Sequence, residues 1–232
     1  IIIDWNGEIK NGQHRMLSCI KTNYSYNIPL VYDVSPDVMD TIDTGRNRTS
    51  SDVLQLKGYK YFSVKSTLIK LIINDQQNKN PIPSFDGKSS VSGQTGTAKC
   101  SVNNQSILKF AESNDDYLNK IISMNNLTYE KSFPKLFSLS HMSFFTHLLT
   151  KGDKNNPYII EFIRNLSGVS LEYGTGVTYV HNLIAKAKIN KTPLNGKYVI
   201  GLIIKAWNLY ISGNPEVKYI KFDTKRELPA IN

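Results

Sequence analysis

Gly12, Gln13, His14 and Arg15 stand where an apolar, strand-like run gives way to a helical one, and their types suit an anion. A helix start presents unpaired N–H groups and the positive end of the helix dipole. Arg15 adds a planar fork of donors that matches two phosphate oxygens, and His14 adds a donor that can also carry a proton. Gly12 lets the backbone approach a ligand closely. A second set lies downstream, where Arg46 and Arg48 precede a helix start at Thr49 and suit a second phosphate. Asp43 and Asp52 are the carboxylates best placed for general-base or metal work near the motif. The same residues also fit structural roles: Arg15 paired to an acid, His14 to a core carbonyl, Asp43 ordering the Thr44-Gly45 turn and Asp52 closing a helix cap.

The elements that must position them alternate. Ile1 to Trp5 reads as a strand, Asn6-Gly7 as a hairpin turn, and Glu8 to Lys10 as the return strand. Gln13 to Thr22 fits a helix with Leu17 and Ile20 facing inward. Ile28 to Val34 reads as a short buried strand, and Ser35-Pro36-Asp37 as a helix start running to Ile42 and stopping at Gly45. Thr49 to Asp52 opens a further helix in the manner of a capping box, closing at Gly58, and a third runs from Phe62 to Ile73. Residues 1–73 are therefore expected to form an α+β domain.

Residues 74–104 carry Pro81, Pro83 and little apolar periodicity, so a flexible linker or loop is expected there. Gly87-Lys88-Ser89 is not a phosphate-binding P-loop, because Ile82 stands where the first glycine is needed. Residues 105–232 read as a mainly helical basic domain. Its helices are marked by Ile107 to Leu118, Ser140 to Leu149, Ile159 to Leu166, Val177 to Ala187 and Val199 to Tyr210, the last ending at Gly213-Asn214-Pro215. Val217 to Phe222 is expected as a last strand.

The formal net charge is +9, and from Val180 to Asn232 nine Lys/Arg face three Asp/Glu, a local surplus of six. That asymmetry favours a polyanion, nucleic acid first. Lys186, Lys188, Lys205, Lys218 and Lys221 are the expected phosphate contacts. A solvated basic surface on a Lys- and Asn-rich chain would show the same count. No apolar run approaches the roughly 20 residues that span a bilayer, so no membrane partner is expected. Cys19 and Cys100 lack metal-ligand spacing and read as reduced thiols in a cytoplasmic protein. No metal site is expected. His141 and His147 lie off the i, i+4 spacing of a shared helix face, so both read as structural, and Trp207 as core. The chain begins with Ile inside an apolar run, so further residues upstream are expected.

Asn11-Gly12-Gln13-His14-Arg15-Met16-Leu17 resembles the "DGQHR" signature of the ParB/sulfiredoxin-like superfamily, met in phage and mobile-element proteins. Asp43 to Leu54 is similar to a "DTGxxRTxxDxL" block that follows it, and Leu202 to Asn208 to an "IIKAWN" segment. The resemblance implies a ParB/sulfiredoxin-like amino-terminal domain followed by a helical carboxy-terminal domain. It also implies a nucleotide or phosphate ligand held by Gly12, Gln13, His14, Arg15, Arg46, Arg48 and Thr49. Asn11 replaces the family's aspartate, which removes a carboxylate. Gln13 occupies the place of the sulfiredoxin cysteine, which excludes that redox chemistry.

The expected function is nucleotide-regulated DNA association by a phage or mobile-element protein, with a nucleoside triphosphate and magnesium as the implied ligands and a homo-oligomer as a further expectation. The alternatives are a metal-dependent nuclease, kinase or NTPase using His14 with Asp43 or Asp52, and a virion or host-takeover protein whose fold serves protein contacts.

Overall fold

Asp4 organises the first turn of the chain. Its carboxylate Oδ1 accepts the Asn6 and Glu8 N–H groups at 2.9 and 2.8 Å, while Lys10 Nζ lies 3.0 Å from Oδ2. Burial would raise the Asp4 pKa, but the Glu8 and Asn6 N–H groups and the Lys10 ammonium outweigh it and hold it below the ordinary value. Gly7 N–H closes the turn onto the Asp4 carbonyl with φ +80°, the left-handed position that such a hairpin demands.

The computed structural model describes residues 1–25, 27–37, 48–77, 84–85, 102–151, 156–214, 216–217 and 219–232. It divides into two compact units, Ile1–Thr49 and Ser50–Asn232. In the first, β1 (Ile2–Asp4) lies between β2 (Ile9–Asn11), antiparallel to it, and β3 (Val31–Val34), parallel to it. Between β2 and β3 the chain forms α1 (Gln13–Thr22). Two expectations are corrected here. Leu17 is 50% and Ile20 73% exposed, so they do not face inward, and α1 buries no residue. β3 is an edge strand with Val31 and Tyr32 exposed, not a buried one. Three strands of three or four residues offer too little surface to cover a helix, and Asp4 is the one buried residue among the described residues of this unit. Where a helix start was expected after Ser35, the Asp37 N–H donates to Ser35 Oγ at 3.3 Å. Residues 38–47 lie outside the described residues.

The second unit begins with α2 (Ser50–Leu56) and α3 (Phe62–Gln76). The expected stop at Gly58 is met: Gly58 and Tyr59 N–H groups return to the Gln55 and Leu54 carbonyls. These helices pack with residues beyond 104, and the division falls at Thr49/Ser50, whereas it was expected at residue 73. The physical reason is the apolar face of α3, where Leu68, Ile69 and Ile72 are fully buried. Within the stretch expected as a linker, α3 continues to Gln76, and β4 (Ser84–Phe85) pairs antiparallel with β5 (Leu194–Asn195). Residues 78–83 and 86–101, which include Gly87-Lys88-Ser89 and Cys100, lie outside the described residues.

Next come α4 (Asn104–Lys131), α5 (Leu139–Leu149), α6 (Tyr158–Leu166), α7 (Gly176–Ile189) and α8 (Gly196–Ile211). Asn103, Ser138, Thr175 and Asn195 cap α4, α5, α7 and α8 by accepting the N–H three residues on. α4 kinks at Asn114, whose side chain donates to the Phe110 carbonyl at 2.9 Å. α5 is buried all round apart from His147, because α3, α4 and α6 all pack on it. Trp207 on α8 is 1% exposed and meets Phe162 edge to face at 5.3 Å, a core residue as expected.

Val217 to Phe222 is not a strand among its described residues. The segment instead lies over the two glycines Gly176 and Gly201, where added Cβ atoms would stand 2.9 Å from Ile220 Cδ1 and 2.4 Å from Phe222 Cδ1. Helical glycine costs about 1 kcal/mol relative to alanine, and the close docking of this segment accounts for it. Gly201→Ala is therefore expected to destabilise by about 2 kcal/mol despite its better helix propensity, since the Phe222 ring must leave its seat. Urea titration measures this, and a neutral or stabilised variant would show that the ring moves freely.

Candidate functional site

The sequence motif folds into one exposed helix start. Gly12 occupies the N-cap of α1 at φ 99°, ψ 5°, with no side chain capping the helix and no acidic residue in the first turn. The Met16 N–H donates to the Gly12 carbonyl at 3.1 Å, so the ladder begins there. Gln13, His14 and Arg15 are all exposed, with Gln13 Nε2 donating to the Ile9 carbonyl at 3.2 Å. This places three N–H groups, an imidazole and a guanidinium at a single positive helix end.

Gly12 also meets a steric requirement within the chain. A Cβ there would lie 2.8 Å from Ile1 Cγ1 and 3.1 Å from Ile1 Cα. The close neighbour that excludes a side chain is the chain's own first residue. The left-handed φ excludes one independently.

The other motif residues are only partly placed. Arg48 is half-buried and Thr49 exposed, immediately ahead of α2, and Asp52 is exposed in the first turn of that helix. Asp43 and Arg46 lie outside the described residues. Among the described residues no group of three or more His, Cys, Asp or Glu side chains is arranged to hold a metal ion. Cys19 is a free, half-buried thiol.

The candidate lysines fall into two places on the second unit. Lys186 is exposed and Lys188 half-buried in the last turn of α7, where the Lys188 ammonium donates to the Lys135 carbonyl. Lys205 on α8 reaches the Lys221 carbonyl at 2.6 Å, and Lys221 Nζ stands 5.0 Å from the Tyr219 ring centroid. Lys218 lies outside the described residues. Lys205 and Lys221 border a shallow groove of about 570 Å³ whose walls also include Asn208, Ser212, Tyr219 and Asn232. Among the described residues no Asp or Glu side chain lines it. The sequence reading missed Tyr219, which is 61% exposed; its lysine neighbours in the Lys218-Tyr219-Ile220-Lys221 run were the available signal.

A further polar cluster lies inside the helical unit. Tyr117 OH on α4 is 2.7 Å from His147 Nδ1 on α5, the Phe144 ring stacks on the imidazole, and Lys151 pairs with Asp75 beside it. With the phenol donating to Nδ1, the ring hydrogen sits on Nε2, a buried atom with no hydrogen-bond partner. Burial first, then the Lys151 charge, push the His147 pKa down to about 4, against a smaller upward pull from Asp75. His141 and His181 are buried and bonded to Ser138 and the Leu166 carbonyl. All three histidines thus sit within the helical packing, the structural setting expected for His141 and His147.

No helix among the described residues is long and apolar enough to cross a membrane. No family model, no curated protein and no solved structure matches the chain.

Proposed function

We propose that this is a ParB/sulfiredoxin-like protein that binds a phosphate-bearing ligand, a nucleotide by the family resemblance, at the start of α1, and DNA through the basic surface of its helical unit. The observation that carries the reading is the α1 start itself: uncapped, without an acid in its first turn, and flanked by exposed Gln13, His14 and Arg15. An anion there gains backbone donors, the helix dipole and a bidentate guanidinium together. Asn11, in the place of the family's aspartate, makes this a grip rather than a metal-dependent catalytic centre.

Thermal shift and calorimetry with nucleoside mono-, di- and triphosphates, with and without magnesium, test it. The expected result is a raised melting temperature with at least one of them. Arg15→Ala is expected to weaken that binding by about tenfold or more, the worth of a charge-assisted hydrogen bond of about 1.5–3 kcal/mol. An unaltered Arg15→Ala titration would remove the site from consideration.

One observation favours a second reading, a unit built for protein contacts. Trp5, Ile20 and Tyr32 are 61%, 73% and 62% exposed. Light scattering of the full chain against Trp5→Asp/Ile20→Asp tests it, since loss of a self-associated species in the variant supports contact and an unchanged mass opposes it.

A further inference from the structure

The groove between α8 and the carboxy-terminal segment has the chemistry of a strand-binding channel. Among the described residues its charged side chains are Lys205 and Lys221, with no Asp or Glu side chain in its lining. Lys205 Nζ donates one hydrogen bond, at 2.6 Å to the Lys221 carbonyl, which leaves two of its three N–H donors for a ligand. Lys221 Nζ lies over the Tyr219 ring, 5.0 Å from its centroid, and the ring is itself 61% exposed, so a base would stack on the face away from the ammonium. Tyr219 is held in place because its neighbour Ile220 is anchored at 4% exposure against Gly176. The floor is equally fixed: Asn208 Nδ2 donates to the Ala230 carbonyl at 2.8 Å, Asn232 N–H to Asn208 Oδ1 at 3.2 Å, and Trp207 Nε1 to the Asn232 carbonyl at 3.3 Å.

Two physical arguments select the occupant. A free nucleotide or other small ligand needs a site that covers most of its surface, and this groove is shallow and open. A polymer needs no enclosure, because each nucleotide adds a phosphate contact and a stacking opportunity along the path. Duplex DNA hides the faces of its bases, so an exposed tyrosine beside lysines has nothing to stack on. A single strand presents them.

The geometry points to single-stranded nucleic acid as the ligand of this groove, its backbone following Lys205 and Lys221 and a base stacking on Tyr219. This rests on the proposed nucleic-acid binding of the helical unit and narrows it to one strand and one place.

Fluorescence anisotropy of the full chain with a labelled 15-mer of thymidylate and a 15-base-pair duplex tests it across a salt series. The expected result is tighter binding of the single strand. Tyr219→Ser should weaken that binding about tenfold while Tyr219→Phe retains it, since the ring and not the hydroxyl stacks. Lys221→Gln should reduce the salt slope by about 0.7. Circular dichroism melts of the variants confirm that an exposed side chain has been changed without loss of fold. If the duplex binds as tightly as the strand and neither Tyr219→Ser nor Lys221→Gln alters the affinity, the groove inference is overturned while DNA binding stands. Absence of salt-dependent binding to both probes takes down the wider reading as well. Competition by thymidine monophosphate at equal concentration would overturn the strand in favour of a nucleotide.

Discussion

Asp115→Ala is expected to destabilise the 50–232 unit by about 3 kcal/mol, roughly a 10 °C fall in melting temperature for a unit of this size. Lys65 on α3 is fully buried, and its ammonium meets Asp115 Oδ1 on α4, with the Tyr59 ring centroid 5.2 Å away. Asn119 Nδ2 fixes the other carboxylate oxygen at 2.9 Å. Removing the carboxylate strands a charge that water does not reach. Removing the lysine is milder, because the Asp115 side chain is 37% exposed and rehydrates. Lys65→Met combined with Asp115→Leu should recover most of the loss, since an apolar pair needs no counter-charge. Chemical denaturation of the single and double variants measures the coupling. A single-variant loss below about 0.5 kcal/mol would mean that the pair contributes nothing.

Stability is also expected to fall as the pH drops from about 6.5 towards 4, and His147 is the group responsible. Its folded pKa of about 4 lies below the unfolded value of 6.5, so in that window the unfolded chain binds a proton that the folded one refuses. The contribution is fully present above pH 6.5 and is lost as the pH falls, up to about 3 kcal/mol at the bottom of the window. Tyr117, Phe144, Lys151 and Asp75 surround the ring; burial and then the Lys151 charge favour its neutral form, against the smaller opposite pull of Asp75. His147→Leu should flatten the curve between pH 6.5 and 5, above the range where ordinary carboxylates titrate. Melting temperatures of both proteins across that range decide it, and parallel curves would acquit the histidine.

Both effects belong to the seam among α3, α4 and α5, where the sequence reading saw helices but no polar contacts. Periodicity marks which residues of a helix turn inward, yet Lys65 and Asp115 are fifty positions apart in the chain. Their pairing depends on how α3 crosses α4 just past the kink at Asn114. The same limit explains the amino-terminal unit. Leu17 and Ile20 recur at helical spacing, and spacing does not say whether a surface exists to receive them. The strands turned out too short to provide one. For the carboxy-terminal segment, Val217 to Phe222 suggested a strand, but the pairing there among the described residues is one isolated bridge of Thr175 with Glu216, and the segment docks on helical glycines instead.

Local chemistry was legible throughout. The Asn6-Gly7 turn, the α1 span from Gln13 to Thr22, the Gly58 stop and the long apolar stripe of α8 follow from capping, turn preference and period, which act over a few residues and need no partner. The Gly12–Arg15 helix start belongs to that class. Gly12 itself shows the boundary: its turn to a helix start is local, and only the fold revealed that Ile1 crowds it through space. Tertiary structure alone decided which lysines share a groove with an exposed tyrosine, which charge is buried with which, and where the chain divides. Those are contacts between residues distant in sequence, and no local preference encodes them.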